Sequence, residues 1–507
     1  MWFVLFALFA SNFAADVTSW GMNEYNTRYV DSQIDSMNAH TLTLVSATQL
    51  CGPQLSSPLI LGDHVIIGDL GGCLTWMYKS NGSIFDQKNM TSDYGLPPKS
   101  LVRATPTYSE GRIVLAVFGV FGFLPISNGV YIMAINATTR QMLWKTQLST
   151  FYRALLTGAP TIKEGIIIQP LSSNEEAQTA LTPSYQCCQF AGRIFGVSLY
   201  DGHVIWNTTM IPDELVGVGK YSGAAIWSSG VSIDGDYLYT STGNLYEAPD
   251  AAQLCFSADP TNKTCFDPRV LYDSIVKLKW RTGEYVAHFR VDENDVWNAF
   301  CLINNQQFPC PLNPGPDADF GNAPMFTKSG SKSYVMAGQK SGFFWILDEN
   351  LSLRESVLAG SSGVAGGMQF GSTINDDNEI FGTNTGVASK NFTFEDGQII
   401  NYGFWFRLTL KGKIKWQTKS PTADSIQGSV TSTNDVVFGA TGSGRLCILD
   451  ANDGEILWYF NTGISTIAAP AVDGCYLYWG TGRSETFSPI STPTRTNFYI
   501  FKLSNCN

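Results

Sequence analysis

Apolar and polar positions alternate at period two over short runs of this chain, and the runs come in pairs joined by tight polar turns. The clearest pair is Gly444 to Trp458, GRLCILDANDGEILW, where two apolar runs flank an Asp-Gly step. The same order of Gly, alternating run, polar turn and second run ending in Trp recurs as GVYIMAINATTRQMLW to Trp144, GRIFGVSLYDGHVIW to Trp206 and GFWFRLTLKGKIKW to Trp416. Weaker copies at 71–85, 273–289 and 341–356 bring the number to seven. Each unit predicts a β-hairpin. Further apolar strands precede the hairpins, as in Pro58–Asp69, Gly165–Gln169, Asp236–Ser241 and Asp435–Ala440. Four strands per unit make a propeller blade. Joining Tyr476–Gly480 and Asn497–Leu503 to the N-terminal segment supplies an eighth blade and closes the ring. The expectation is an all-β, eight-bladed β-propeller over residues 16–507 as a single domain. Trp144, Trp206, Trp416 and Trp458 are expected to pack between blades.

Composition agrees with this picture. A single core rarely serves a chain of 507 residues, whereas a ring adds core blade by blade. The 48 Gly, 21 Tyr and 31 Phe suit short strands and tight turns. A net charge of -11 without any Lys/Arg cluster argues against a nucleic-acid partner. Met1–Ala15 carries an apolar run from Trp2 to Ala10 followed by small residues, which reads as a secretory signal. No later run is long enough to span a bilayer, so the mature protein is expected to be soluble.

Seven Asn-x-Ser/Thr sequons (Asn81, Asn89, Asn136, Asn207, Asn262, Asn350, Asn391) predict a secreted glycoprotein. Of the 11 Cys, Cys255 with Cys265 and Cys301 with Cys310 bracket short loops and are expected to pair. An odd count leaves at least one thiol unpaired or intermolecular. The four His (His40, His64, His203, His288) lack metal-ligand spacing, which argues against zinc chemistry and a Ser-His-Asp hydrolase. No Gly-rich loop opens a helix, which argues against a nicotinamide cofactor.

The loops between the repeats are more specific. SWGMNEYNTRYV (19–30), SSNEE (172–176), YQCCQFAG (185–192), YSGAAIWSS (221–229), STGN (241–244), DVWNAFC (295–301), GPDADFG (315–321), AGQKSGFFWILD (337–348) and GGMQFG (366–371) resemble the quinoprotein alcohol dehydrogenases. The polyvinyl-alcohol-dehydrogenase-like branch is the nearer match. That family is an eight-bladed propeller holding pyrroloquinoline quinone (PQQ) and usually Ca²⁺ on its axis. The resemblance implies Glu175, Asn244 and Asp319 as metal ligands, oxygen donors suited to a hard cation, with Glu176 an open alternative to Glu175. It implies Trp227 as a slab stacked on the quinone. The vicinal pair Cys187 and Cys188 would lie on the opposite face if bonded to each other, or be paired elsewhere or free. Arg103 and Thr157 would hold the cofactor rim, Lys340 the quinone oxygens, and Gln369 would add an amide contact.

The chain also departs from the family. Leu55 stands for a Glu facing the cofactor, Ala191 for an Arg after the Cys pair (with Arg193 two residues on), Ile426 for a Trp lining the site, and Phe370 for the Trp after Gln369. The implied activity is alcohol oxidation, possible substrates being secondary or polymeric alcohols, with Asp319 taking the hydroxyl proton. Electrons would pass to an external acceptor, since the sequence has no Cys-x-x-Cys-His haem motif. The competing expectation is a secreted, non-catalytic propeller that binds a partner and has lost the cofactor. Nothing in the sequence fixes an oligomeric state.

Overall fold

The structure, a computed structural model, describes residues 16–119, 129–182, 184–291, 294–302, 310–386, 390–482 and 496–506. The secretory signal expected at 1–15 lies outside them. Eight antiparallel sheets, seven of four strands and one of five, follow one another along the described chain, with two further two-stranded ribbons among their loops. Their first strands are Leu59–Leu61, Thr107–Ser109, Thr161–Lys163, Ser232–Asp234, Met325–Ser329, Thr373–Ile374, Thr431–Thr433 and Ala471–Asp473. We number the blades 1 to 8 in that order. The outer strand of blade 8 is Leu42–Gln49, paired antiparallel with Asn497–Leu503, so the N-terminal strand closes the ring as the pattern predicts.

Burial refines the expected alternation. The outermost strands, such as Met142–Ser149, are exposed or half-buried. Inner strands are buried on both faces, as in Val436–Ala440, because each blade is sandwiched between two neighbours.

The repeat's Trp and Gly meet across that packing. Trp144, Trp206 and Trp416 on the outer strands of blades 2, 3 and 6 lie against Gly202, Gly283 and Gly454 in turns of blades 3, 4 and 7. A Cβ on those glycines would fall 2.4 to 2.8 Å from an indole carbon. Two residues beyond each Trp, Thr146, Thr208 and Thr418 donate to the carbonyls of the same three glycines at 2.6, 2.6 and 2.8 Å. Bulk and hydrogen bond together lock blade to blade. Blade 8 meets blade 1 with Ser46 in the Trp position, yet Thr48 still donates to Gly82 O at 2.8 Å.

Residues 17–32 form a collar that touches every blade. Val17 bridges Ile60, Tyr108 donates to Thr18 O, and Lys163 pairs with Glu24 at 2.7 Å. Ile233, Phe326 and Ile374 donate to the carbonyls of Glu24, Tyr25 and Thr27. Tyr29 bridges Ser432, and Ser32 bridges Gly474. Fully buried Arg28 anchors the collar by donating to Trp20 O, Val430 O, Thr431 Oγ1 and Pro470 O. Burial without a facing carboxylate pulls this guanidinium down to about 9. Its plane lies 4.1 Å from the centre of the Trp20 ring.

Among the described residues two short α-helices interrupt the all-β pattern, α1 (Glu175–Leu181) in blade 3 and α2 (Asp250–Ala258) in blade 4. Both sit in long connections where no strand period exists to read. Among the described residues no helix is long and apolar enough to cross a membrane.

Candidate active site on the propeller axis

The first two strands of a blade are antiparallel, so the loop entering strand one and the loop leaving strand two emerge at the same face. Every candidate residue occupies one of those loops. Arg103, Thr157, Trp227, Asp319 and Gln369 precede first strands of blades 2 to 6, while Glu175, Asn244 and Lys340 follow second strands of blades 3 to 5. The collar meets the first strands from the other end. Trp20 therefore forms the floor of an axial cavity lined by Leu55, Arg103, Thr157, Ser229, Phe370 and Ile467 among others.

The chemistry concentrates where blades 3, 4 and 5 meet. Lys340 Nζ lies 2.8 Å from Asp319 Oδ2 and 2.8 Å from Asp317 Oδ1, all three side chains being almost fully buried. The ammonium is 5.6 Å from the centre of the Trp227 ring. Asp295 fixes the turn that carries both aspartates by accepting the backbone N–H of Asp317 at 2.8 Å and of Ala318 at 2.5 Å. Asn244 N donates to Asp319 Oδ1 at 2.5 Å. Gly243 makes that approach possible, since a Cβ there would stand 2.3 Å from the same oxygen.

The structure separates the two neighbouring glutamates. The Glu175 carboxylate is spent on the chain, accepting from Tyr185 Oη at 2.5 Å and from the backbone N–H of Gln189 and Phe190 at 2.8 Å each. It anchors the Cys187–Phe190 loop. Glu176 instead feels Asp319, Lys340 and Asp295, and burial together with the Asp319 charge pushes it up to about 8. Its Oε2 is buried without a hydrogen-bond partner. The same is true of Asn244 Oδ1, whose amide is oriented by Nδ2 donating to Trp297 O at 2.9 Å and Leu245 O at 3.2 Å.

Burial raises Asp317 well above the ordinary carboxylate range, against the pull of Lys340 and with help from Asp319 and Glu176. For Lys340 burial acts downward, but Asp317, Asp319 and Glu176 more than offset it and hold the ammonium charged. Three buried or half-buried carboxylates thus face one ammonium, and two orphaned oxygens, one of them on Glu176 itself, sit beside it. Buried polar atoms are rarely left unpaired, and an anionic excess of this kind is compensated by a cation or by protons. The donor set, two carboxylates and an amide oxygen, fits a hard cation.

The other expected residues surround this group. Cys187 and Cys188 are bonded to each other and share an apolar cluster with Trp227, Phe190 and Tyr246. Thr157 Oγ1 donates to Trp227 O at 3.0 Å, and Arg103 donates to Thr157 O at 3.3 Å. Gln369 bridges Gly321 through its backbone, while its amide donates to Gly366 O at 3.3 Å. Of the four departures, Leu55 and Phe370 line the axial cavity, Ile426 is core, and Ala191 lines a separate cleft with Gln189 and Arg193. Phe370 packs edge-on to Trp227 at 6.0 Å. Cys255–Cys265 and Cys301–Cys310 form as expected, joined by Cys51–Cys73 and Cys475–Cys506, and the eleventh cysteine, Cys447, is free and buried. Among His, Cys, Asp and Glu of the described residues, only Cys51, Asp69 and Cys73 bring three donor atoms within 4.8 Å, and those sulfurs are already bonded to each other.

The fold is that of the quinoprotein alcohol dehydrogenase propellers. Quinohemoprotein alcohol dehydrogenase ADHIIG from Pseudomonas putida superposes at TM-score 0.71 and 16% identity, over 97% of this chain and 81% of that one. A europium-containing methanol dehydrogenase gives 0.67 at 14% identity, over 96% of this chain and 98% of that one. Residues 408–495 match the family model described as outer membrane protein assembly factor BamB, a span that runs from the end of blade 6 into blade 8 and so reports the repeat. The resemblance read from the loops is borne out in sequence. A polyvinylalcohol dehydrogenase of a Pseudomonas species is 23% identical over 90% of this chain and 69% of its own length.

Proposed function

We propose that this protein is a PQQ-dependent alcohol oxidoreductase, with Ca²⁺ held by Glu176, Asn244 and Asp319. The observation that carries the reading is the pair of orphaned oxygens, Glu176 Oε2 and Asn244 Oδ1, together with the buried Asp319 carboxylate bonded to Asn244 N. The bonds that already occupy Glu175 support Glu176 in its place as the ligand. The resemblance to quinoprotein dehydrogenases in loops and fold supports the choice of cofactor and of an alcohol as substrate.

When bound, PQQ supplies a two-electron acceptor and the cation supplies Lewis acidity. Trp227 offers a flat apolar face, and the bonded Cys187–Cys188 pair belongs to the same apolar cluster. Arg103 offers donors at the rim for carboxylates, while the single hydroxyl hydrogen of Thr157 is held by Trp227 O. Asp319 is the base for the substrate hydroxyl, its Oδ1 fixed by Asn244 N. Burial of the whole group keeps water from the proton it receives.

Secretion and glycosylation belong to the proposal. Five disulfides and the exposed sequon residues Asn81, Asn207, Asn350 and Asn391 support them. The external electron acceptor remains part of the same reading.

The test is reconstitution of the purified protein with PQQ and Ca²⁺, followed by dye reduction on adding a primary, secondary or polymeric alcohol. Alcohol-dependent dye reduction that Asp319→Asn abolishes is the expected result. No change in the absorbance of PQQ on adding protein and Ca²⁺ would sink the reading and favour the non-catalytic propeller.

A further inference from the structure

Lys340 holds two carboxylates at once, and only one of them belongs to the proposed metal site. Its Nζ stands 2.8 Å from both Asp319 Oδ2 and Asp317 Oδ1. Asp319 Oδ1 accepts from Asn244 N and Oδ2 from the ammonium, so a cation drawing on Oδ2 competes with Lys340 directly. Two positive charges on one buried carboxylate oxygen repel, and the lone pairs that serve one serve the other poorly. Asp317 resolves the conflict. It is 1% exposed in its side chain, sits at φ +58 in the left-handed region, and is held there by its N–H donating to Asp295. A non-glycine residue adopts that conformation only when its surroundings impose it. The turn thereby places a second carboxylate against the ammonium at the same distance as the first.

We infer that Lys340 acts as a resident counter-ion that yields Asp319 to an incoming cation, and that Asp317 is the positioning residue that retains the ammonium when it does. The inference rests on the metal reading given above. In the cation-free protein the ammonium neutralises Asp319. On binding, Nζ gives up one charge-assisted hydrogen bond and keeps the other, so the exchange is possible without stranding a bare ammonium in a dry pocket. The arrangement also explains the anionic excess. Asp317 supplies an acceptor for Lys340 alone, and Glu176 and Asp319 are left to the cation.

The test is calorimetric titration of Ca²⁺ into the cofactor-free full chain and its variants, with near-ultraviolet circular dichroism to confirm native packing. Lys340→Met removes the competitor and is expected to tighten Ca²⁺ binding by about 10- to 100-fold, the worth of a hydrogen bond to a charged group. Lys340→Gln serves if the methionine variant does not fold. Asp317→Asn is expected to weaken binding by about tenfold, because the ammonium then stays on Asp319. In the Lys340→Met background the same Asp317→Asn change should lose most of its effect.

Equal Asp317→Asn penalties with and without Lys340 would overturn the inference, since Asp317 would then act on the cation itself. Ca²⁺ binding to the wild type that Lys340→Met fails to tighten overturns it as well, while leaving the metal site intact. No Ca²⁺ uptake by the wild type or by Lys340→Met rejects the metal reading itself, and this inference with it.

Discussion

Gly283 tests the packing rule that builds the ring. It lies in the outer turn of blade 4 at φ +71, and an added Cβ would fall 2.4 Å from Trp206 Cε3. Gly235, in the inner turn of the same blade, has φ +54 and nothing within 4 Å of the added Cβ. Both positions carry the left-handed backbone cost of an L side chain, about 1 to 2 kcal/mol. Only Gly283→Ala also drives a methyl into a packed indole and disturbs the bond from Thr208 Oγ1 to Gly283 O at 2.6 Å. Overpacking of that kind costs about 1 to 3 kcal/mol more. Gly235→Ala should therefore lose about 1 to 2 kcal/mol and Gly283→Ala about 2 to 5 kcal/mol, read by equilibrium denaturation with urea. Trp206 fluorescence should report the second change before the global transition and not the first. Equal losses at the two glycines would refute the claim that Trp-on-Gly contact joins the blades.

Three further outcomes follow from the same coordinates. Gly243→Ala places a Cβ 2.3 Å from Asp319 Oδ1, so Ca²⁺ binding measured by calorimetry should fall by at least about tenfold while circular dichroism stays native. Arg28→Lys keeps the charge but cannot reach four acceptors in the collar, and should lower stability by about 3 kcal/mol in thermal or urea denaturation. Asp69 is fully buried, and burial raises it from 3.8 to about 7 despite the bond from Cys73 N. The folded state thus holds a proton that the unfolded state has lost between those values. The contribution is full below pH 4 and fades as pH rises through 7, by up to about 4 kcal/mol. Asp69→Asn, neutral at every pH, should flatten the fall in melting temperature between pH 4 and 7.

Local rules made the ring legible and left the site half legible. Hairpins, their polar turns and the spacing of Trp144, Trp206, Trp416 and Trp458 follow from alternation and turn chemistry, which act within a few residues. The closure of blade 8 was readable because its strands were otherwise unpaired. Asn244, Asp319, Lys340 and Trp227 were legible from loop motifs, and the structure brings them together around one buried group. The proposed preference for Glu176 over Glu175 was not, because both belong to the first turn of α1. Only the contact with the Gln189–Phe190 loop, far along the chain, separates them. Asp317 and Asp295 escaped for a related reason, their roles being set by Lys340 and by the turn they share rather than by any local pattern. The collar residue Arg28 gave no signal as a buried cation, since three of its four acceptors come from blades 7 and 8, far along the chain.

The most direct test of the central claim is a crystal structure of the protein grown with PQQ and Ca²⁺. The account predicts planar density between Trp227 and the Cys187–Cys188 pair, with a cation bound by Glu176, Asn244 and Asp319 and with Lys340 retained on Asp317. An axial cavity without cofactor density, or a cation bound through Glu175 with Glu176 turned away, would contradict it.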